Sequence, residues 1–139
     1  MSMFCYQCQE TAKGTGCTLK GVCGKTDEVA NLQDLLVFIS KGVSVFAEIA
    51  GKHNLKTPDA DQYVFDALFT TITNANFDPE VIIRKIKQGV MVREDLKDRL
   101  TAAGVELPAD LPEEARWVSD TDERIHAQSL LVGVLTEPN

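Results

Sequence analysis

Every cysteine of this chain lies within its first 23 residues, as Cys5, Cys8, Cys17 and Cys23 in a C-x2-C-x8-C-x5-C spacing, and none follows before Asn139. That segment must gather four sulfurs, while the rest must fold without a cross-link. Two disulfides would suit a small secreted domain, but Met1 to Thr11 lacks the apolar core of a signal peptide, and staples confined to one end would leave most of the chain unconstrained. Four thiolates also suit a structural zinc ion. Zinc sites, however, usually combine two C-x2-C knuckles, or one knuckle with histidines. Here there is one knuckle, and His53 and His126 are far along the chain. An iron–sulfur cluster, wrapped by a loop, tolerates unequal gaps such as these. Spacing favours the cluster and leaves zinc open.

The residues between the cysteines suit such a loop. Gly14, Gly16, Gly21 and Gly24 let backbone come close to a bound group, so that amide N–H groups can point at sulfur. Lys13, Lys20 and Lys25 offset the negative charge of thiolate ligands, and Phe4, Tyr6, Leu19 and Val22 can shield one side. A solvated glycine-rich loop with incidental lysines, its apolar residues packed on helices, fits the same composition.

The stretch MFCYQCQETAKGTGCTLKGVCGK (residues 3–25), followed by Asn31-Leu32-Gln33-Asp34-Leu35-Leu36 and later by Ile72-Thr73-Asn74-Ala75-Asn76-Phe77-Asp78, resembles the N-terminal segment of the hybrid-cluster (prismane) proteins, also called hydroxylamine reductases. By that resemblance Cys5, Cys8, Cys17 and Cys23 are the ligands of one [4Fe-4S] cluster, the spacing being that of the cube-binding variant and not of the wider [2Fe-2S] one. The resemblance covers only the opening portion of the family's length. The family's second, substrate-reducing cluster takes a histidine, two glutamates and four further cysteines from downstream, and this chain has no spare cysteine. Hydroxylamine or nitric oxide reduction is therefore not expected of it unaided. The implied role is an electron-relay module, with a redox partner protein and either a second copy or a companion chain carrying the hybrid cluster.

Bulk properties bound the rest. A chain of 139 residues reads as a single domain (loop 1–25, helical bundle 26–104, tail 105–139), long enough to bury roughly 70% of its unfolded surface. A net charge of -7 argues against nucleic acid as a partner, and no apolar run approaches the ~20 residues of a membrane span. Free ligand cysteines without an export signal place the chain in a reducing cytoplasm.

After the loop, Thr26-Asp27-Glu28 reads as a helix start, and apolar residues recur at three- and four-residue gaps (Val29, Leu32, Leu35, Leu36, Ile39, Val43, Phe46, Ile49) up to Gly51. Thr57-Pro58-Asp59 opens a second helix, whose buried side is expected from Tyr63, Val64, Phe65, Leu68, Phe69 and Ile72, ending around Asn74 to Phe77. Asp78-Pro79-Glu80 opens a third, with Ile82, Ile83, Ile86, Val90, Leu96, Leu100 and Ala103 as its apolar face, to Gly104. The fold class predicted is all-α: an antiparallel three-helix bundle, an N-terminal cysteine-rich loop and an irregular C-terminal tail.

In the tail, Pro108 and Pro112 are expected to break regular structure, Trp117 to anchor it, and Thr121-Asp122-Glu123 to open a short helix. The run Leu130 to Leu135 suits a docking surface, the core or a short strand. Glu113-Glu114 and Asp120 to Glu123 read as solvated faces and caps, and both histidines as solvated residues. No phosphate loop and no nucleophile–histidine pair stands out. Three functions follow in order: one-electron transfer, a zinc-stabilised interaction domain, or a redox or nitric oxide sensor.

Overall fold

The computed structural model describes residues 3–5, 12–14, 16–18, 21, 23, 25–72, 78–119 and 121–132. Within them a 3-10 turn, Ala12–Gly14, precedes five helices: α1 Asp27–Lys52, α2 Pro58–Ile72, α3 Pro79–Ala102, α4 Glu113–Arg116 and α5 Asp122–Ser129. The predicted starts hold because their caps are made. Thr26 accepts the Val29 N–H and Asp78 the Glu80 N–H, with Pro79 entering the first turn where no N–H is required.

Helix α1 is the axis of the molecule. Val29, Leu32, Leu35, Leu36, Ile39, Val43 and Phe46 are all buried, and Ile49 is half-buried. Helices α2, α3, α4 and α5 all pack against it. The bundle runs up, down, up. Gly89 of α3 lies beside Ile39 of α1, while Leu100 shares a small cleft with Ala50, so α1 and α3 run the same way. Arg99 reaches back to the Lys56 carbonyl and Tyr63 to that of Lys85, so α2 runs opposite to α3. Burial of each large apolar side chain in this core contributes about 1.5–3 kcal/mol relative to exposure.

Two helix faces differ from expectation. On α2 the buried residues are Ala60, Tyr63, Ala67, Thr70 and Thr71, whereas Phe65, Leu68, Phe69 and Ile72 are 65%, 42%, 55% and 55% exposed. The helix carries two apolar stripes, and the one bearing Ala60, Tyr63 and Ala67 faces inward, with the Tyr63 hydroxyl donating to the Lys85 carbonyl of α3. The large residues face out, with the Phe65 and Phe69 rings stacked 6.2 Å apart. On α3, Ala103 is exposed because the helix stops one residue earlier.

The tail is more ordered than its prolines suggest. Helix α4 sits on α1 at Gly42, where any Cβ would run into the Glu114 carbonyl. The same carbonyl accepts a 2.9 Å hydrogen bond from Arg93, which is fully buried. Glu114 is therefore half-buried and not part of a solvated face, while Glu113 is exposed and pairs with Arg116. Trp117 anchors the tail edge-on to Phe38, with centroids 6.4 Å apart, and the Thr121 cap opens α5 as expected. Leu130 and Leu131 are exposed, Val132 packs partly on the core, and residues 133–135 lie outside the described residues, as does Asp120. No described helix is long and apolar enough to cross a membrane.

Candidate metal centre

Cys5 and Cys17 meet across an isolated antiparallel bridge. The Cys5 N–H donates to the Cys17 carbonyl at 2.9 Å, and the Cys17 N–H to the Cys5 carbonyl at 2.8 Å. A pair that exchanges both bonds carries its side chains on one side of the ribbon, with Cβ atoms about 5 Å apart. Two thiols distant in the loop thus share one face. Cys17 is buried, Cys5 partly buried and Cys23 exposed, and all three are free thiols. Cys8 lies outside the described residues. Among the described residues no three His, Cys, Asp or Glu side chains form a group close enough for a single metal ion.

The bridge is seated on the bundle. Met3 and Cys17 are buried together with Ala30 from the first turn of α1, flanked by Cys5 and Ala12. Gly16, at φ +123°, holds a conformation that disfavours any Cβ, and the Phe4 ring occupies the space that a Cβ would need, its nearest atom 2.6 Å away. This fixes the residue just before Cys17.

Donors surround the sulfurs. The Ala12 N–H points at Cys17 Sγ at 3.4 Å, from a turn whose Lys13 takes a left-handed φ of 56°. The Lys25 ammonium lies 3.4 Å from Cys5 Sγ, although Lys25 is only 4% exposed. Its carbonyl accepts the Gly21 N–H at 2.7 Å, and a Cβ on Gly21 would stand 2.8 Å from Lys25 Cβ and 3.3 Å from Cys23 Sγ. Gly21 is thereby the point where the Cys23 turn closes onto Lys25.

On α1, burial pushes the Asp34 carboxyl from its usual 3.8 up to about 7, and the Lys25 ammonium pulls it partly back. Gln33 is buried with neither amide atom hydrogen-bonded. It sits one turn along from Ala30, which touches Cys17.

The structure therefore brings together Cys5 and Cys17, places Cys23 against Gly21, and aims one amide, that of Ala12 rather than of a loop glycine, at a cysteine sulfur. The three lysines separate: Lys13 is exposed, Lys25 is buried on a sulfur, and Lys20 lies outside the described residues, as do Gly24, Tyr6, Leu19 and Val22. His53 is an exposed cap of α1 and His126 lies on α5. In the sequence Lys25 is one of three similar lysines, and nothing in it marks Ala12, Gln33 or Asp34 as neighbours of the cysteines. One signal singles out Lys25: it sits immediately before the cap of α1, at the positive end of the helix dipole, where a cation is disfavoured unless something else holds it.

A model of the Prismane/CO dehydrogenase family matches residues 3–134. The hydroxylamine reductase of Bacteroides thetaiotaomicron is 52% identical over all 139 residues, which are 24% of its length. That of Desulfitobacterium hafniense is 48% identical over 139 residues, 25% of its length. That of Thermoanaerobacter pseudethanolicus is 52% identical over 136 residues, 98% of this chain and 25% of the relative. The chain thus spans about a quarter of the length of the curated relatives it matches, in their N-terminal part.

Proposed function

The chain belongs to the Prismane/CO dehydrogenase family, and from that premise we propose that it is a one-electron transfer module whose N-terminal loop holds a [4Fe-4S] cluster through Cys5, Cys8, Cys17 and Cys23. The observation that carries this reading is the bridge pairing Cys5 with Cys17 as free thiols, each with a hydrogen-bond donor at 3.4 Å from its sulfur. Such a cluster takes cysteine sulfurs as ligands, and hydrogen bonds to those sulfurs orient them and tune the bound group.

When bound, the cluster supplies a one-electron couple. The chain's own residues hold the ligand sulfurs in place: the bridge fixes Cys5 relative to Cys17, Gly16 and Phe4 fix the approach to Cys17, and Met3 and Ala30 exclude water from that side. Exposed Cys23 marks the side open to a partner. With the cluster held by these cysteines, the chain would take one electron from a donor protein, which would be oxidised by one equivalent, and pass it to an acceptor without any bond in the chain forming or breaking. With a net charge of -7, a partner bearing a basic patch is favoured. Free thiol ligands suit a reducing cytoplasm.

All four cysteines are committed to the loop, so reduction of hydroxylamine would need a second centre that these 139 residues do not supply. The chain's share of that activity is electron relay. Replacement of Cys17 by serine tests the assignment. Iron and sulfide should fall from about four of each per chain to under one, while the far-ultraviolet helical signal stays within about a tenth of wild type, because the helical core is built without the loop's sulfurs. Undiminished iron would remove Cys17 from the ligand set, and complete unfolding would make the metal structural.

A further inference from the structure

We propose that Lys25 is a fixed, buried cation that makes the centre held by the N-terminal cysteines easier to reduce, acting from its ammonium on Cys5 Sγ. The inference rests on the cluster reading above and assigns to one residue the control of its potential.

Lysine is almost never fully buried unless it is paired, because an ammonium removed from water loses its hydration. Lys25 is 4% exposed, and its Nζ lies 3.4 Å from Cys5 Sγ. The position is held at both ends of the residue. Its carbonyl takes the Gly21 N–H, Gly21 packs without clearance against its Cβ and amide, and Thr26, the next residue, caps α1. A cation placed here gains nothing from α1, whose dipole presents its positive end. The sulfur therefore accounts for its position better than the helix does. Lys13, by contrast, is exposed, so water and salt screen its charge.

Reduction adds one negative charge at the cluster, delivered by an external one-electron reductant, and no bond or proton of the chain changes. A positive charge fixed nearby in a poorly hydrated setting stabilises the reduced form more than the oxidised one, and a hydrogen bond to a ligand sulfur acts in the same direction. Asp34 interacts with Lys25, but burial keeps its carboxyl largely uncharged below about pH 7, so it offsets little of that charge there.

The test compares the full chain with Lys25→Met, Lys25→Gln and Lys25→Arg, all purified without oxygen. Iron, sulfide and helical signal are assayed before potentials are measured against mediators with dithionite. The neutral variants should load as wild type does and shift the reduction equilibrium at least tenfold towards the oxidised form, a fall of about 59 mV for one electron. Lys25→Arg, which keeps the charge, should recover most of that shift. Equal loading with unmoved potentials would overturn the role of Lys25 alone. Folded neutral variants that carry no cluster would also overturn it, by making Lys25 an assembly residue. A wild-type chain without iron and sulfide would instead overturn the cluster reading on which the inference stands.

Discussion

At the scale of single residues, the loop is governed by what lies within hydrogen-bond reach of sulfur, and α1 by what its first turns bury. Asp34 makes the second point measurable. Its carboxyl is raised from 3.8 to about 7 by burial, so the unfolded chain ionises it first as pH rises. The stabilising contribution of the protonated group is therefore complete below about pH 4 and is lost progressively as pH climbs to about 7. Urea denaturation of wild type and Asp34→Asn across this window should show a stability difference that drifts against the wild type up to about pH 7 and is flat above it. A difference independent of pH would contradict the burial of Asp34. Residues of this kind were poorly legible in the sequence. The four cysteines announce themselves by spacing, and Gly16 by its place before Cys17. The Lys25 contact depends on a carbonyl taken by Gly21 and on a side chain folded back twenty positions to Cys5, which no local pattern encodes.

At the scale of elements, helix starts were legible because hydroxyl or carboxylate caps and the two prolines at 58 and 79 act locally. The face that a helix buries is a tertiary matter. Helix α1 has one apolar stripe and buries it; α2 has two, and the buried one is that whose Tyr63 hydroxyl reaches the Lys85 carbonyl of α3. Helix α4 was hidden because its position depends on the Gly42 gap and on Arg93 reaching the Glu114 carbonyl across 21 residues. The two classes of phenylalanine separate cleanly in stability. Phe46→Ala, at a fully buried site, should cost about 3–5 kcal/mol, whereas Phe65→Ala, at a site 65% exposed, should change stability by less than about 1 kcal/mol. Chemical denaturation of the two variants reads both values, and comparable losses would show that the outer stripe of α2 is covered.

At the scale of the whole molecule, a helical core that needs no cross-link carries a cysteine loop at one end. The division matches the sequence, where every thiol precedes the first helix and, among the described residues, the large buried aliphatics lie on the helices. The bridge, the Ala12 turn and Lys25 tie the loop to itself and Ala30 ties it to α1, which on the proposed reading would hold a redox group with little movement between its two states. The central claim is that these 139 residues hold one [4Fe-4S] cluster by themselves. The most direct measurement is an ultraviolet–visible spectrum of the chain purified without oxygen, with iron, acid-labile sulfide and zinc assayed on the same sample. The account predicts a broad brown absorption that bleaches with dithionite, and about four iron and four sulfide per chain. A colourless protein holding one zinc and no sulfide would contradict it and leave the cysteines a structural role.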